Sequence, residues 1–167
     1  MANRDNPHGL RSLGRTLSGG CPYVTELSKA VGYGTTIFIN DAVNRVADGS
    51  IEASATPGTT IYSGVSLTHG ILSTATDHLV IISPDAVYEA QDNAATDGLV
   101  AADMGLNANL VLNAGSTTTL ISGHEINETG AAETNTLDVH LLQLYDAPDN
   151  VSLPDGGQLQ HRHRDYV

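Results

Sequence analysis

Seven histidines are the side chains of this sequence best suited to chemistry, because neutral imidazole is both a transition-metal ligand and a base near neutral pH. His161 and His163 alternate with Arg162 and Arg164, so on a strand the two imidazoles share a face. No third ligand is fixed by the spacing, and the stretch reads as a solvated basic tail. His69, His78, His124 and His140 fall one per segment. None stands two residues from another, the pairing that strand-borne metal sites generally use. Asp92, Asn93, Asp97 and Asp103 make an oxygen-rich neighbourhood that could attract calcium. Their spacing fails the twelve-residue loop of alternating ligands closed by a Glu, and Asp and Asn are equally ordinary in turns. Gly64-Val-Ser66-Leu-Thr68 lacks the second glycine of a nucleophile elbow. Gly32-Tyr33-Gly34 is too little of a phosphate-binding pattern to imply a dinucleotide. No cofactor and no catalytic residue is expected.

Charge is the sharper feature. The formal net charge is −12, yet three arginines, Arg4, Arg11 and Arg15, crowd the first 20 residues, and Arg162 and Arg164 lie near the end. From Val46 to His161 there is no Lys or Arg, while 15 Asp and Glu fall in that span. A body so depleted in cations is not built to bind nucleic acid over a broad face. Cys21 stands alone, so no intrachain disulfide framework exists and synthesis in a reducing cytoplasm fits. With no apolar run near 18 residues, no membrane span or secretory signal is expected.

The elements that must position these residues are short. Residues 1–20, MANRDNPHGLRSLGRTLSGG, carry Leu10, Leu13 and Leu17 at helical spacing. Gly9, Gly14 and Gly19 lie among them, each costing about 1 kcal/mol inside a helix. The stretch therefore reads as an extended arm whose contacts are Arg4, Leu10, Arg11, Leu13, Arg15 and Leu17. Such an arm is expected to be mobile in the free protein and to order on a partner, so its removal should leave the melting temperature unchanged. Residues 21–31 fit a short helix near 24–31 or an irregular strand. Thr35 to Asn40 and Ala42 to Val46 read as extended, Asp48-Gly49 as a hairpin turn, and Ile51 to Ala55 as the returning strand. Ile61 to Thr68 follows as a strand.

The central stretch, 79–112, opens with Leu79 to Ile82. It breaks at Ser83-Pro84, where proline removes a ladder donor. A second extended run then places Val87, Glu89 and Gln91 against Tyr88 and Ala90. Leu99 to Met104 could form one or two helical turns, and Asn107 to Leu112 is extended again. Leu137 to Tyr145 is the last strong apolar segment, with Leu137, Val139, Leu141 and Gln143 assigned to one face. Short strands at roughly ten-residue spacing between turns point to an all-β domain, an antiparallel β-barrel or β-sandwich. Three parts follow: an arm at 1–20, a β-rich domain at 21–150 and a short irregular C-terminal tail at 151–167. One Phe and no Trp leave an aliphatic core.

Several stretches resemble one known family. The arm, with its arginines and Gly19-Gly20 ending, is similar to the arm that opens many tailed-phage capsid decoration (cement) proteins. Ile37-Phe38-Ile39-Asn40-Asp41-Ala42-Val43 resembles their following strand. Val87-Tyr88-Glu89-Ala90-Gln91, Asp103-Met-Gly-Leu-Asn107-Ala-Asn109, Gly115-Ser-Thr-Thr-Thr119 and Tyr145-Asp-Ala-Pro-Asp-Asn150 resemble their body. The similarity runs in order through most of residues 1–150 and leaves HRHRDYV without a counterpart. It implies a non-enzymatic virion protein on the outer surface of the capsid, bound to the phage major capsid protein and stabilising the head. It also implies self-association, a homotrimer in preference to a dimer. Two other classes stand beside it. A small metal-dependent, cupin-like barrel enzyme needs converging histidines. A carbohydrate-binding or adhesin module needs exposed aromatics over a β-face, and six tyrosines are a thin supply.

Overall fold

The computed structural model describes residues 6–29, 32–57, 62–70, 76–93, 98–144 and 164–166. Five strands close a barrel: β2 (Val24–Lys29), β3 (Ala42–Arg45), β4 (Ile51–Ala53), β5 (Gly64–Ser66) and β6 (Thr76–Ile81), in the order β2-β4-β3-β5-β6. The all-β expectation holds, and of barrel and sandwich it is the barrel that forms. Its longest seam is antiparallel, β2 on β6, from Val24↔Ile81 to Lys29↔Thr76. The strand reading of 24–31 is therefore the right one for its described part. Alternation decides it: Val24, Glu26 and Ser28 are exposed, whereas Thr25, Leu27 and Lys29 are partly or fully covered. The apolar spacing that suggested a helix, Val24, Leu27, Ala30 and Val31, begins with two residues that lie on opposite faces of this strand, and Ala30 and Val31 lie outside the described residues.

The Asp48-Gly49 turn joins β3 to β4 as expected. The Val46 N–H donates to the Ser50 carbonyl at 3.0 Å, the Asp48 carboxylate accepts from the Ser50 N–H at 2.9 Å, and Gly49 takes φ +86°. Ile37, Val43, Ile51 and Val80 make the core of the barrel, with Leu27, Ala53 and Ile82 packed against it.

A second layer lies against the outer face of β3 and β5. It contains β7 (Ala86–Gln91), which is flanked by β1 (Arg11–Thr16) and by β13 (Arg164–Tyr166) within the tail; β12 (Gln143–Leu144) pairs β13. Short ladders complete it: β8 (Asn107–Ala108) with β11 (Val139–His140), and β9 (Leu110–Val111) with β10 (Glu125–Ile126). Ala42 and Val65, pointing out of the barrel, join Leu10, Leu99, Leu110 and Leu141 in this second core. Because β7 is covered on both faces, it shows no polar-out alternation. Val87, Glu89, Ala90 and Gln91 are all buried.

The break at Ser83-Pro84 carries the chain from barrel to sheet. The turn read at Leu99 to Met104 is a single 3-10 turn, Ala101–Asp103, whose Asp103 carboxylate accepts from the Val100 N–H at 2.8 Å. Two readings need correction. Residues 35–40 form isolated bridges, Ile37 to Gly70 and Ile39 to Ile121, rather than a continuous strand. Leu141 is buried between β11 and β12 whereas Gln143 is exposed, so Leu137–Gln143 is not one alternating face.

Candidate functional site

The arm is extended, and its described part lies along the domain. Leu10 is 3% exposed within the second core. The Arg11 guanidinium pairs with the buried Glu89 carboxylate, and His8 Nε2 lies 3.9 Å from the other carboxylate oxygen. Gly9, at φ +67°, passes so close to Asn40 and Ser122 that a Cβ would sit 2.5 Å from each. Leu10 and Arg11 therefore serve this chain's own core. Beyond them the register shifts: Ser12 faces Tyr88 and Thr16 faces Ala86, so Leu13, Gly14 and Arg15 stand opposite one residue of β7. This bulge, turned at Gly14 with φ +69°, lifts Leu13 and Arg15 away from the ladder. Leu17 follows, 63% exposed, its N–H donating to the Asp85 carbonyl at 2.8 Å. Arg4 lies outside the described residues. Of the arm residues named from sequence, Leu10 is buried, Leu13 is half-buried, and Arg11, Arg15 and Leu17 are exposed, with the Arg11 guanidinium turned back onto Glu89.

Leu17 stands at the rim of a groove of about 670 Å³ between the barrel and the second layer. Its walls include Leu10, Val65, Ile82, Ala86, Leu137 and Val139, with Tyr62 and Tyr88 contributing rings. Burial holds the Tyr88 phenol above its ordinary pKa. Burial first, and then the nearby Asp138 carboxylate, do the same for Tyr62. Among the described residues, Asp85 and Asp138 are the carboxylates of the lining, His140 is its one imidazole, and neither Lys nor Arg lines it. The groove continues onto an exposed apolar face at the turn after β6. There the Tyr23 N–H donates to Ser83 Oγ at 2.6 Å, and the Ile82 N–H donates to the Tyr23 carbonyl at 3.1 Å. Tyr23 is 65% exposed; Val24 and Leu79, on the outer face of the β2–β6 seam, are 40% and 46% exposed. Leu17, Tyr23, Val24 and Leu79 are four of the six large apolar side chains exposed among the described residues. Sequence reasoning found Leu17 but not the others, because the outward face of a strand looks like a core face until its partner strand is known.

The histidines go to separate places. His78 points into the barrel, with Nδ1 3.0 Å from Ser66 Oγ and 3.2 Å from the Thr68 carbonyl, in the company of the buried Lys29. Burial lowers the pKa of both His78 and Lys29. His124 Nδ1 accepts from the Ala42 N–H at 3.4 Å, and its Nε2 is 3.5 Å from Asp41 Oδ1. Burial lowers His124 and raises Asp41, and each partner's charge partly opposes that shift. His69 packs on the Phe38 ring, and His140 is on the surface beside Asn107. His161 and His163 lie outside the described residues, as does Asp97. Asp92 caps backbone instead, accepting from the Leu99 N–H at 2.9 Å, while Asn93 accepts from the Glu128 N–H at 3.2 Å. No three His, Cys, Asp or Glu side chains among the described residues are grouped to hold a metal ion. No described helix is long and apolar enough to cross a membrane.

No protein-family model, curated protein or solved structure matches this chain.

Proposed function

We propose that this protein is a non-enzymatic structural component of a tailed-phage virion that binds the outer surface of the major capsid protein lattice and stabilises the head. The supporting observation is the continuous face made by the β1 bulge, the exposed Leu17 and Tyr23, and the groove beside them. Large exposed apolar patches on a soluble domain generally mark interaction sites, and Tyr is a frequent anchor at interfaces. The arm gives this face rigidity: Leu10 and Arg11 hold the strand down, so that the half-buried Leu13 and the exposed Arg15 and Leu17 meet a partner with little ordering cost on binding. Charge adds orientation, since an acidic body with a basic N-terminal edge meets a lattice in one sense. Exposed ion pairs contribute only about 0–1 kcal/mol each, so apolar burial and repeated attachment to a lattice must supply most of the affinity. The resemblance of residues 1–150 to decoration proteins supports the same reading. Self-association, a trimer in preference to a dimer, belongs to this proposal.

Co-sedimentation tests it. Purified protein mixed with heads assembled from the cognate major capsid protein should pellet with them at a saturating stoichiometry. Heads that have bound it should lose their contents at a higher temperature than bare heads. Protein that stays in the supernatant at every ratio would refute the proposal.

A further inference from the structure

We infer that the groove between barrel and sheet is a docking site for an extended segment of the capsid protein that carries bulky aliphatic side chains flanked by Lys or Arg. The inference rests on the proposed decoration role and adds to it the chemistry of the capsid element that is recognised.

Volume sets the kind of occupant. At about 670 Å³ the groove lies within the roughly 300–1,000 Å³ of sites that hold peptide-sized or drug-sized groups. It is far larger than one side chain needs. Its walls are mainly aliphatic and aromatic, so the occupant gains by burying Leu-like or Ile-like side chains against Val65, Ile82, Tyr88 and Leu137.

Charge selects among apolar segments. Asp85 and Asp138 are both in the lining and are already engaged as acceptors: Asp85 from Ser18 Oγ at 2.7 Å, Asp138 from the Leu110 N–H at 2.8 Å. Those bonds fix the carboxylates in place. Among the described residues neither Lys nor Arg lines the groove, and the sequence from Val46 to His161 supplies none. An acidic segment would meet like charge, whereas a basic one finds two positioned carboxylates. Continuity with Leu17, at the groove's own rim, makes the groove and the exposed arm one surface. A second copy is the poorer occupant of this groove, because its sequence from Val46 to His161 offers no Lys or Arg to meet Asp85 and Asp138.

Overlapping fluorescein-labelled peptides tiling the cognate major capsid protein are the probe, with fluorescence anisotropy as the readout on the full-length chain. Peptides that combine Leu or Ile with Lys or Arg should bind, and acidic ones should not. Leu137→Glu, which places a charge in the wall at a half-buried position, should weaken the best peptide at least tenfold. Thr136→Trp, which fills the groove from its exposed rim, should do the same, whereas Val100→Glu, an exposed apolar position in another segment, should not. Asp85→Lys should reduce the preference for basic over acidic peptides. Circular dichroism melts of each variant report whether the fold is intact.

If heads bind the wild-type protein and the folded Leu137→Glu and Thr136→Trp variants equally well, the groove assignment is overturned and decoration stands. If wild type does not bind heads at all, the decoration reading itself fails. If no capsid peptide binds but Leu137→Glu abolishes self-association in analytical ultracentrifugation, the occupant is a second copy and the inference is wrong.

Discussion

Replacing Leu10 by Ala separates an arm that belongs to the fold from one that merely hangs from it. Leu10 is 3% exposed and packs in the second core with Ala42, Val65 and Leu141. Leu→Ala in a core costs about 2–5 kcal/mol, with the spread set by how far the site can collapse. Leu10 also borders the groove, so neighbouring side chains and water can partly fill the space, which favours the lower part of that range, about 2–3 kcal/mol. For a chain of this size each kcal/mol moves the melting temperature by about 2–4 °C, giving a fall of about 4–12 °C. Leu17→Ala is the internal control: at 63% exposure it should change stability by no more than about 0.5 kcal/mol while weakening attachment to heads. Thermal melts followed by circular dichroism, together with urea midpoints, measure both variants. Deleting residues 2–20 should likewise destabilise the domain, contrary to what a free arm would do. A Leu10→Ala variant that melts within about 1 °C of wild type would refute the docked arm.

Glycine substitutions in the arm should diverge. Gly9→Ala should be severely destabilising, because φ +67° and contacts at 2.5 Å leave no room for a Cβ, whereas Gly14→Ala, at φ +69° in open space, should cost only about 1 kcal/mol; urea denaturation ranks them. Arg11→Ala should destabilise more than Arg15→Ala, since it strips a partner from a carboxylate that is 1% exposed; chemical denaturation in low and high salt tests the order. Stability should also fall as pH drops below about 6.5. Burial lowers the folded pKa of His78 and His124, so the unfolded imidazoles take up protons first, and each contributes a slope of up to about 1.4 kcal/mol per pH unit down to its folded value. Asp41 works in the opposite direction: its raised folded pKa lets the native carboxyl protonate before the unfolded one, which offsets part of the loss in more acid solution. Urea midpoints at pH 7 and pH 5 should differ clearly in wild type and much less in a His78→Asn/His124→Asn double variant.

Much of the fold could be read from the sequence because its signals are local. Pro84 marks the passage from β6 to β7, Asp48-Gly49 closes the β3–β4 hairpin, and the small residues after Leu99 make the single 3-10 turn. Which side of each strand faces what depends on partners far away in sequence, and there local signals stop. Val24 and Leu27 look like one apolar face until β6 pairs with β2 and sends one out and the other into the barrel. Glu89 and Gln91 look like solvent-facing residues, yet β1 and β13 on either side of β7, with the second core beneath, bury both. Lys29 at the end of an ordinary polar strand gives no hint that it enters a barrel interior beside His78. The arm residues were recognisable by composition, but their division into inward anchors and outward contacts required the register shift after Ser12. Tyr23, the most exposed large apolar residue described, carried no sequence signal of its own.

Attachment to the capsid is the central claim, and a cryo-EM map of cognate heads saturated with the purified protein tests it most directly. Added density is expected on the outer surface, with the five-stranded barrel recognisable in it. The β1 bulge, Tyr23 and the groove should be turned toward the lattice, and a capsid segment should lie in the groove. Heads whose outer surface is unchanged at saturating protein, or a barrel docked with this face toward solvent, would contradict it.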